Sequence, residues 1–421
     1  MNRALRAFLA ALVAVAALAL APREARAEAG DELTVSVLTF GPGDHPFFKF
    51  GHNAILVHDD SRRDARADLV YNYGTFGFES WTLIPNFFRG KLQYWLSIQS
   101  LAGTKELYRQ ENRTVVQQVL NLTAAEKRAI AEDLRVNALP ANKYYKYDYY
   151  QDNCSTRVRD VVDRATKGRV ALASKGPASF TWRQHTLRLT ADDLPVYLGL
   201  NAAMGDFIDQ KGTVWDEMFL PSKVEETLRH VTVIGPDGVE APLVKSEIEL
   251  LAAPGRAPLR TAPPRWIPGF AIAGAVIGAA LYGLFVASRK SRAARVGLGV
   301  TLATIGLVIG FLGCLFVMFW AFTDHRVAYH NENILQCAPW LIVLAGTGIS
   351  FARGKLAASE RVRKLLVAAA GASLLGLALK VVPWFDQQNG QIIALMLPIW
   401  LGAAAGAEVA RRKSVADARP V

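Results

Sequence analysis

In Tyr147-Asp148-Tyr149-Tyr150-Gln151-Asp152-Asn153-Cys154-Ser155-Thr156-Arg157 a tyrosine-rich extended run gives way to the start of a helix. Asn153 or Asp152 is a good N-cap. Val158, Val161 and Val162 then recur at helical spacing, predicting a helix over Ser155–Arg164 with Cys154 in its first turn. A thiol there sees the positive end of the helix dipole and free backbone N–H groups. Both favour thiolate, and the N–H groups, including that of Ser155, are candidates to hold an oxyanion. Cys154 is the one cysteine before the hydrophobic C-terminal third, so no disulfide forms within this region. A lone thiol in an oxidising compartment is either a buried bystander or a reactive group.

A cysteine nucleophile wants a base, and the candidates are His45, His52, His58 and His185. His52 is the best placed, because it follows Gly51 and opens the alternating strand His52–His58. Asn72, within Tyr71-Asn72-Tyr73-Gly74, is the first choice to orient His52 from a neighbouring strand. Thr34–Phe40, Leu69–Tyr73, Leu92–Ile98 and Thr114–Leu120 read as further strands. Thr123-Ala124-Ala125-Glu126 is a capping box for a helix to about Leu139. Beyond Ala173 the pattern is mostly helical, including Pro221–His230, and a hairpin follows at Asp237-Gly238. The expectation is an α+β domain without internal repeats.

Phe50-Gly51-His52, Tyr73-Gly74-Thr75-Phe76 and the string Asp152 to Arg157 resemble the Lnb N-terminal periplasmic domain family, over about residues 30–200. A strand histidine followed later by a helix-start cysteine also resembles the circularly permuted papain-like superfamily, which includes NlpC-type hydrolases and lecithin:retinol acyltransferase relatives. That resemblance implies His52 as base and Cys154 as nucleophile, and leaves the third residue open.

Outside this region the 421-residue chain is 51% hydrophobic with a formal charge of +11. Arg3 and Arg6, the apolar run Ala7–Ala21 and Ala25-Arg26-Ala27 predict a signal peptide over residues 1–27. An exported domain over 28–251 and a Pro-rich tether over 252–266 follow. Residues 267–421 read as an all-α transmembrane domain of five helices: Ile267–Ala287, Val296–Phe322, Ile334–Phe351, Leu365–Phe385 and Gln391–Ala410. Three basic runs, at 289–295, 353–364 and 411–419, account for the whole positive surplus. Alternating spans put all three on one side, as the positive-inside rule demands, with the C-terminus in the cytoplasm of an inner-membrane protein. The surplus is therefore a topology signal, and nucleic acid is not an expected partner. The bilayer is.

The loop after the second span carries Asp324, His325, His330, Asn331, Glu332 and Asn333. It reads as a solvated loop, or as one that meets the exported domain and helps form a site at the bilayer surface. No metal is assigned to it, since the order is no known ligand spacing, and no cofactor is expected. Cys314 and Cys337 read as packing residues, and the aromatic run Trp81–Trp95 as core, with membrane-interface contact as the second reading. The leading expectation is a membrane-anchored cysteine hydrolase or acyltransferase acting on an envelope amide or ester: peptide, peptidoglycan, lipid or lipoprotein. The competing one is a non-catalytic envelope chaperone or binding module. A metal-dependent membrane enzyme using His325 and His330 ranks last.

Overall fold

The computed structural model describes residues 29–64, 66–77, 83–91 and 93–417, so the expected signal peptide lies outside the described residues. The N-terminal domain is α+β. Its strands are β1 (Leu33–Phe40), β2 (His52–Asp59), β3 (Asp68–Thr75), β4 (Gln93–Ser100), β5 (Val115–Leu120), β6 (Tyr144–Lys146), β7 (Thr232–Ile234), β8 (Glu240–Pro242) and β9 (Val244–Leu251). A seven-stranded antiparallel sheet runs β6-β4-β3-β2-β1-β5-β9, and β7 and β8 form the expected hairpin. Strand β9, which sequence reading did not anticipate, pairs with β5 and is exposed over most of its length.

Around the sheet lie α1 (Leu83–Arg89), α2 (Leu101–Gln110), α3 (Ala124–Asn137), α4 (Cys154–Ala165), α5 (Trp182–Leu189), α6 (Leu194–Ala203) and α7 (Pro221–Leu228). One face of the sheet, with Val37, Ile55 and Tyr71, packs against Val158, Val161 and Val162 of α4 and Ile130 and Leu134 of α3. The other face, with Phe40, Ala54, Leu56 and Val70, packs on Tyr108 of α2. Alternation along each strand divides the two sets. Truncating a fully buried residue such as Ile55 to Ala would cost about 2–5 kcal/mol.

The C-terminal region is helical: α8 (Ile267–Ser288), α9 (Arg292–Phe322), α10 (Val343–Ala352), α11 (Leu356–Ala378) and α12 (Gly390–Asp417). Among the described residues four helices are long and apolar enough to cross a membrane, not the five expected. The expected third span, Ile334–Phe351, is broken. Glu332–Leu335 and Pro339–Ile342 are 3-10 turns, and the apolar helix that follows is short. Pro339 interrupts the ladder, and Gln336 is drawn into side-chain bonding: the Ser373 hydroxyl donates to its Oε1 at 2.5 Å and the Trp400 indole to its carbonyl at 3.0 Å. The segment still descends antiparallel along α9, from Cys337 beside Gly313 to Ala352 beside Gly299. A Cβ on Gly313 would come within 2.0 Å of the Cys337 carbonyl oxygen, so only glycine admits that approach. Cys337 is buried there, whereas Cys314 is exposed on the outside of the bundle, contrary to the packing role expected of it.

The basic runs meet at one end of this bundle. Arg295 lies beside Gly354, and Arg363 bonds Glu408 at 3.3 Å next to Arg411 and Arg412. The α+β domain sits on the other end. The expected tether is pinned to it: Arg256 bonds Asp44 at 3.0 Å, Arg188 bonds the Arg260 carbonyl at 2.7 Å, and Trp266 packs on Tyr197. Asn331 donates to the carbonyls of Ala202 and Ala203 at 2.8 and 3.0 Å, and Gln387 to that of Met204 at 2.8 Å. The Gln388 N–H reaches Asp209 at 3.1 Å, whose other oxygen holds the buried Arg183 at 2.7 Å.

Candidate functional site

Asn153 makes the helix begin where the thiol is. Its Oδ1 accepts the N–H groups of Ser155 and Thr156 at 2.9 and 3.0 Å, and Thr156 Oγ1 accepts the Asn153 N–H at 2.8 Å. Its amide nitrogen donates to the Tyr149 and Phe219 carbonyls at 2.9 and 3.0 Å, so the cap is itself fixed from both sides. The cap occupies the N–H groups of Ser155 and Thr156, which removes these two from the expected oxyanion donors. Asp152 does not cap; it pairs with Arg157 at 2.6 and 2.8 Å. That guanidinium lies 3.6 Å over the Tyr145 ring. The Ser155 hydroxyl is 3.8 Å from the Cys154 sulfur.

Cys154, first residue of α4, meets the end of the sheet. Beside it stands Gly74, at φ +85°, just where the β3–β4 register shifts between Asn72 and Thr75. A Cβ on Gly74 would be 3.5 Å from the Cys154 Cβ, so the glycine accepts both the left-handed backbone and the close thiol. Burial opposes ionisation of Cys154 more than anything else does. The charge and hydrogen bond of the His52 imidazole, the Asn53 N–H and the Ser155 hydroxyl outweigh it and bring the thiol down to about 7. Of the four candidate bases His52 is the one joined to the thiol. His45 caps a 3-10 turn and accepts the Phe47 N–H at 3.4 Å. His58, at the far end of β2, holds Asp68 and Asp60 at 2.8 and 2.9 Å. His185 is buried against Glu217 at 2.7 Å.

Phe40 pairs with His52 across β1–β2, and its ring stacks on the imidazole with centroids 5.6 Å apart. Val70 opposes Leu56 in the β2–β3 register, so by alternation Asn72 shares a face with His52. Both line the same cavity, and the Asn72 amide donates to the Val70 carbonyl at 3.4 Å.

That cavity, about 640 Å³, is walled by aromatic and aliphatic side chains and opens to His52 and Cys154. Phe319, His325, Val327 and Ala328 of the helical region complete it. The expected loop cluster therefore divides. His325 stacks on Tyr149 with centroids 6.2 Å apart and lies on the wall, and Asp324 bonds Lys146 at 2.9 Å. His330 faces Asp206 at 3.5 Å. Asn331 and Asn333 bond the carbonyls ending α6, and Glu332 pairs with Lys380. The solvated-loop expectation fails for Asn331 and Asn333, both buried. Among the described residues no group of three or more His, Cys, Asp or Glu is placed to hold a metal ion.

Tyr147 and the two-sided helix α6 were not singled out from sequence. Tyr147 is half-buried on the cavity wall, and desolvation raises its hydroxyl well above the ordinary range, helped by the nearby Cys154. Its signal was present in the tyrosine repeat ahead of Asn153. The aromatic run expected as core divides too: Tyr94 is buried, but Phe88 is 40% exposed and stacks on Phe319 of α9. Trp81 lies outside the described residues.

Residues 23–188 match the family of the Lnb N-terminal periplasmic domain. The match spans His52, Asn72 and Cys154 and ends within α5, before the helical region. No curated protein and no solved structure matches the chain.

Proposed function

We propose, taking as premise that residues 23–188 form an Lnb N-terminal periplasmic domain carried on membrane-spanning helices, that this protein is a thiol enzyme of the cell envelope. One observation carries the reading: a histidine-bonded cysteine, brought to about 7, faces a large cavity. The Cys154 thiolate attacks the carbonyl carbon of an ester or amide. The tetrahedral oxyanion collapses, the C–O or C–N bond breaks, and the leaving group takes the proton held on His52. Water or an amine then attacks the acyl–Cys154 thioester, its proton passing to His52 and back to the departing thiolate. Asn72 shares the cavity wall with His52 and is the candidate to orient the imidazole by position alone, its amide bonding the Val70 carbonyl. All of these steps use side chains of this chain. The basic runs at the end of the bundle away from this domain support an inner-membrane orientation with a cytoplasmic C-terminus.

The test is acylation of the full-length protein by a short soluble ester, p-nitrophenyl acetate, followed by mass spectrometry of the intact chain. A hydroxylamine-labile acetyl group on Cys154, lost in Cys154→Ser, is the expected result. A native thiol that reacts no faster than the unfolded chain, with a Cys154→Ser protein that retains full function in cells, would overturn it in favour of a non-catalytic envelope chaperone or binding module.

A further inference from the structure

A base that serves a thiol must keep one ring nitrogen on the sulfur while its own charge comes and goes. A hydrogen bond from a third residue is one way to hold it. Here the Asn72 amide donates instead to the Val70 carbonyl at 3.4 Å. What lies against the imidazole is a ring. Phe40 is the cross-strand partner of His52, and the two stack with centroids 5.6 Å apart and planes 26° from parallel.

Phe40 is the first of a series. Tyr108 of α2 stacks on it at 3.9 Å and 11°. The Arg113 guanidinium lies over the Tyr108 ring, 4.6 Å from its centroid, and over the Phe48 ring at 5.0 Å. Phe40 is wholly buried, Tyr108 is 7% exposed and Arg113 2%. A guanidinium so enclosed is costly unless its N–H groups and its charge are answered. Nε donates to the Gly41 carbonyl at 2.8 Å and Nη1 to Glu111 at 2.9 Å. Nη2 has no hydrogen-bond acceptor, and the faces of Tyr108 and Phe48 are what the cation has instead.

This anchor reaches back to the start of the series. Gly41 follows Phe40 in the chain; its carbonyl takes the Arg113 bond, and its N–H donates to the Thr114 carbonyl at 3.0 Å. A Cβ on Gly41 would come within 2.2 Å of Thr114 Oγ1, so only glycine lets the backbone beside Phe40 close on this segment. The guanidinium thus holds the Phe40 ring twice, through Tyr108 and through the neighbouring peptide. His52, Tyr108, Arg113 and Phe48 also line the cavity, so the series is part of the wall that a reactant meets.

An aromatic face is a particular kind of support. It resists tilting of the imidazole, and it attracts that ring more strongly when the ring is protonated. The protonated state of His52 is the one that accompanies a Cys154 thiolate. A leucine in place of Phe40 would fill space and do neither.

We propose that Phe40, Tyr108 and Arg113 are positioning residues for His52, and that this stack, anchored on a buried guanidinium, takes the part of a hydrogen-bonding third residue. The proposal rests on the thiol reading above and adds how its base is held.

The experiment follows acetylation of the full-length protein by p-nitrophenyl acetate, over the range around about 7 in which the thiol titrates. Acetyl is read at position 154 by peptide mapping, and rates are scaled to the folded fraction from a thermal melt. Phe40→Leu and Tyr108→Leu should each lower the thiolate fraction on the acid side by about threefold and slow acetylation near neutrality by about fivefold. Tyr108→Phe, which keeps the face and discards the hydroxyl, should run at the native rate. Arg113→Lys keeps a charge but loses the flat fork, and should slow acetylation by about threefold. If Phe40→Leu fails to fold, Tyr108→Leu and Arg113→Lys, farther along the series from the thiol, decide the matter. Leucine variants that melt earlier yet acetylate at the native rate, with the native pH profile, reduce the stack to core packing and overturn the proposal. So does a Tyr108→Phe protein as slow as Tyr108→Leu, or an Asn72→Ala loss larger than that of Phe40→Leu, which returns the orienting role to Asn72. A native protein that takes no acetyl on Cys154 overturns the thiol reading itself, and the stack's role with it.

Discussion

His52 and His185 are both hydrogen-bonded to an acidic partner within the N-terminal α+β domain, yet their surroundings differ. His185 is enclosed completely. Arg188 donates to its Nδ1 at 3.0 Å, so Nε2 carries the proton and donates to Glu217 at 2.7 Å. Glu217 also accepts the N–H groups of Ser179 and Phe180 at 2.9 and 3.0 Å. Burial lowers the pKa of His185 and the Arg188 charge does so too, against the pull of the Glu217 bond, which keeps the ring neutral. His52 is only part-buried, and both it and its thiol partner border a cavity. A histidine bonded to an acid is common to both regions; a face left for a reactant belongs to one. Reactivity is read from the open side, and stability from the closed one.

The strongest way to break this comparison is to exchange the effects. Cys154→Ser should abolish labelling and any acyl adduct at position 154, read by peptide mapping apart from Cys314 and Cys337, while leaving the thermal melt of the protein almost unchanged. Glu217→Ala should do the opposite. Stripping the acceptor from His185 and two backbone N–H groups costs about 3–5 kcal/mol, read as a lowered melting midpoint, with Cys154 in the folded fraction alkylated at the native rate. A Glu217→Ala protein of native stability but slow thiol would erase the distinction.

Smaller effects sharpen it. His52→Ala should slow iodoacetamide labelling at pH 7 by about tenfold, since an unassisted thiol titrates near 8.5 and burial pushes it higher still. Labelling of the native protein should be half-maximal near pH 7 and fall away below it, because a lowered thiol pKa means thiolate is lost only as pH drops through that value. A midpoint at the free-thiol value would show that the His52 contact carries no charge. The least effect belongs to His58. The Asp68 bond, then the Asp60 bond, raise its pKa. Its contribution is therefore full below its ordinary 6.5 and fades as pH climbs through the raised folded value. His58→Ala should move stability by less than about 0.5 kcal/mol, on the acid side alone, and leave labelling untouched.

What could be read in advance was local or ordered along the chain. An N-cap at Asn153 or Asp152 adjoins the helix it opens, and alternation from His52 to His58 specifies a strand face, so both were visible without tertiary knowledge; the choice of Asn153, with Thr156 as its reciprocal partner, came from the structure. The loop over Asp324–Asn333 could be named as one that meets the exported domain, but the cavity it completes could not. Phe319 carries no periodic mark that singles it out from the residues flanking it, and its role arises only when Asn331 and Gln387 lock onto carbonyls of the other domain. The broken third span did have a signal: Asn333, Gln336 and Pro339 interrupt an apolar run, and counting hydropathy alone passed over them. Strand β9 was missed because an exposed edge strand lacks a buried face to betray it.

The wall contributed by Phe319, His325, Val327 and Ala328 has a consequence for biosynthesis. The segment bearing His52 and Cys154 is made long before residue 319 leaves the ribosome. Until the second span has inserted and its outer loop has docked, the chamber lacks a side. For that interval the thiol and imidazole of a nascent chain sit in an unfinished vessel, and its completion waits on the second membrane-spanning helix. The chamber is closed last, on a schedule written in the order of the polypeptide itself.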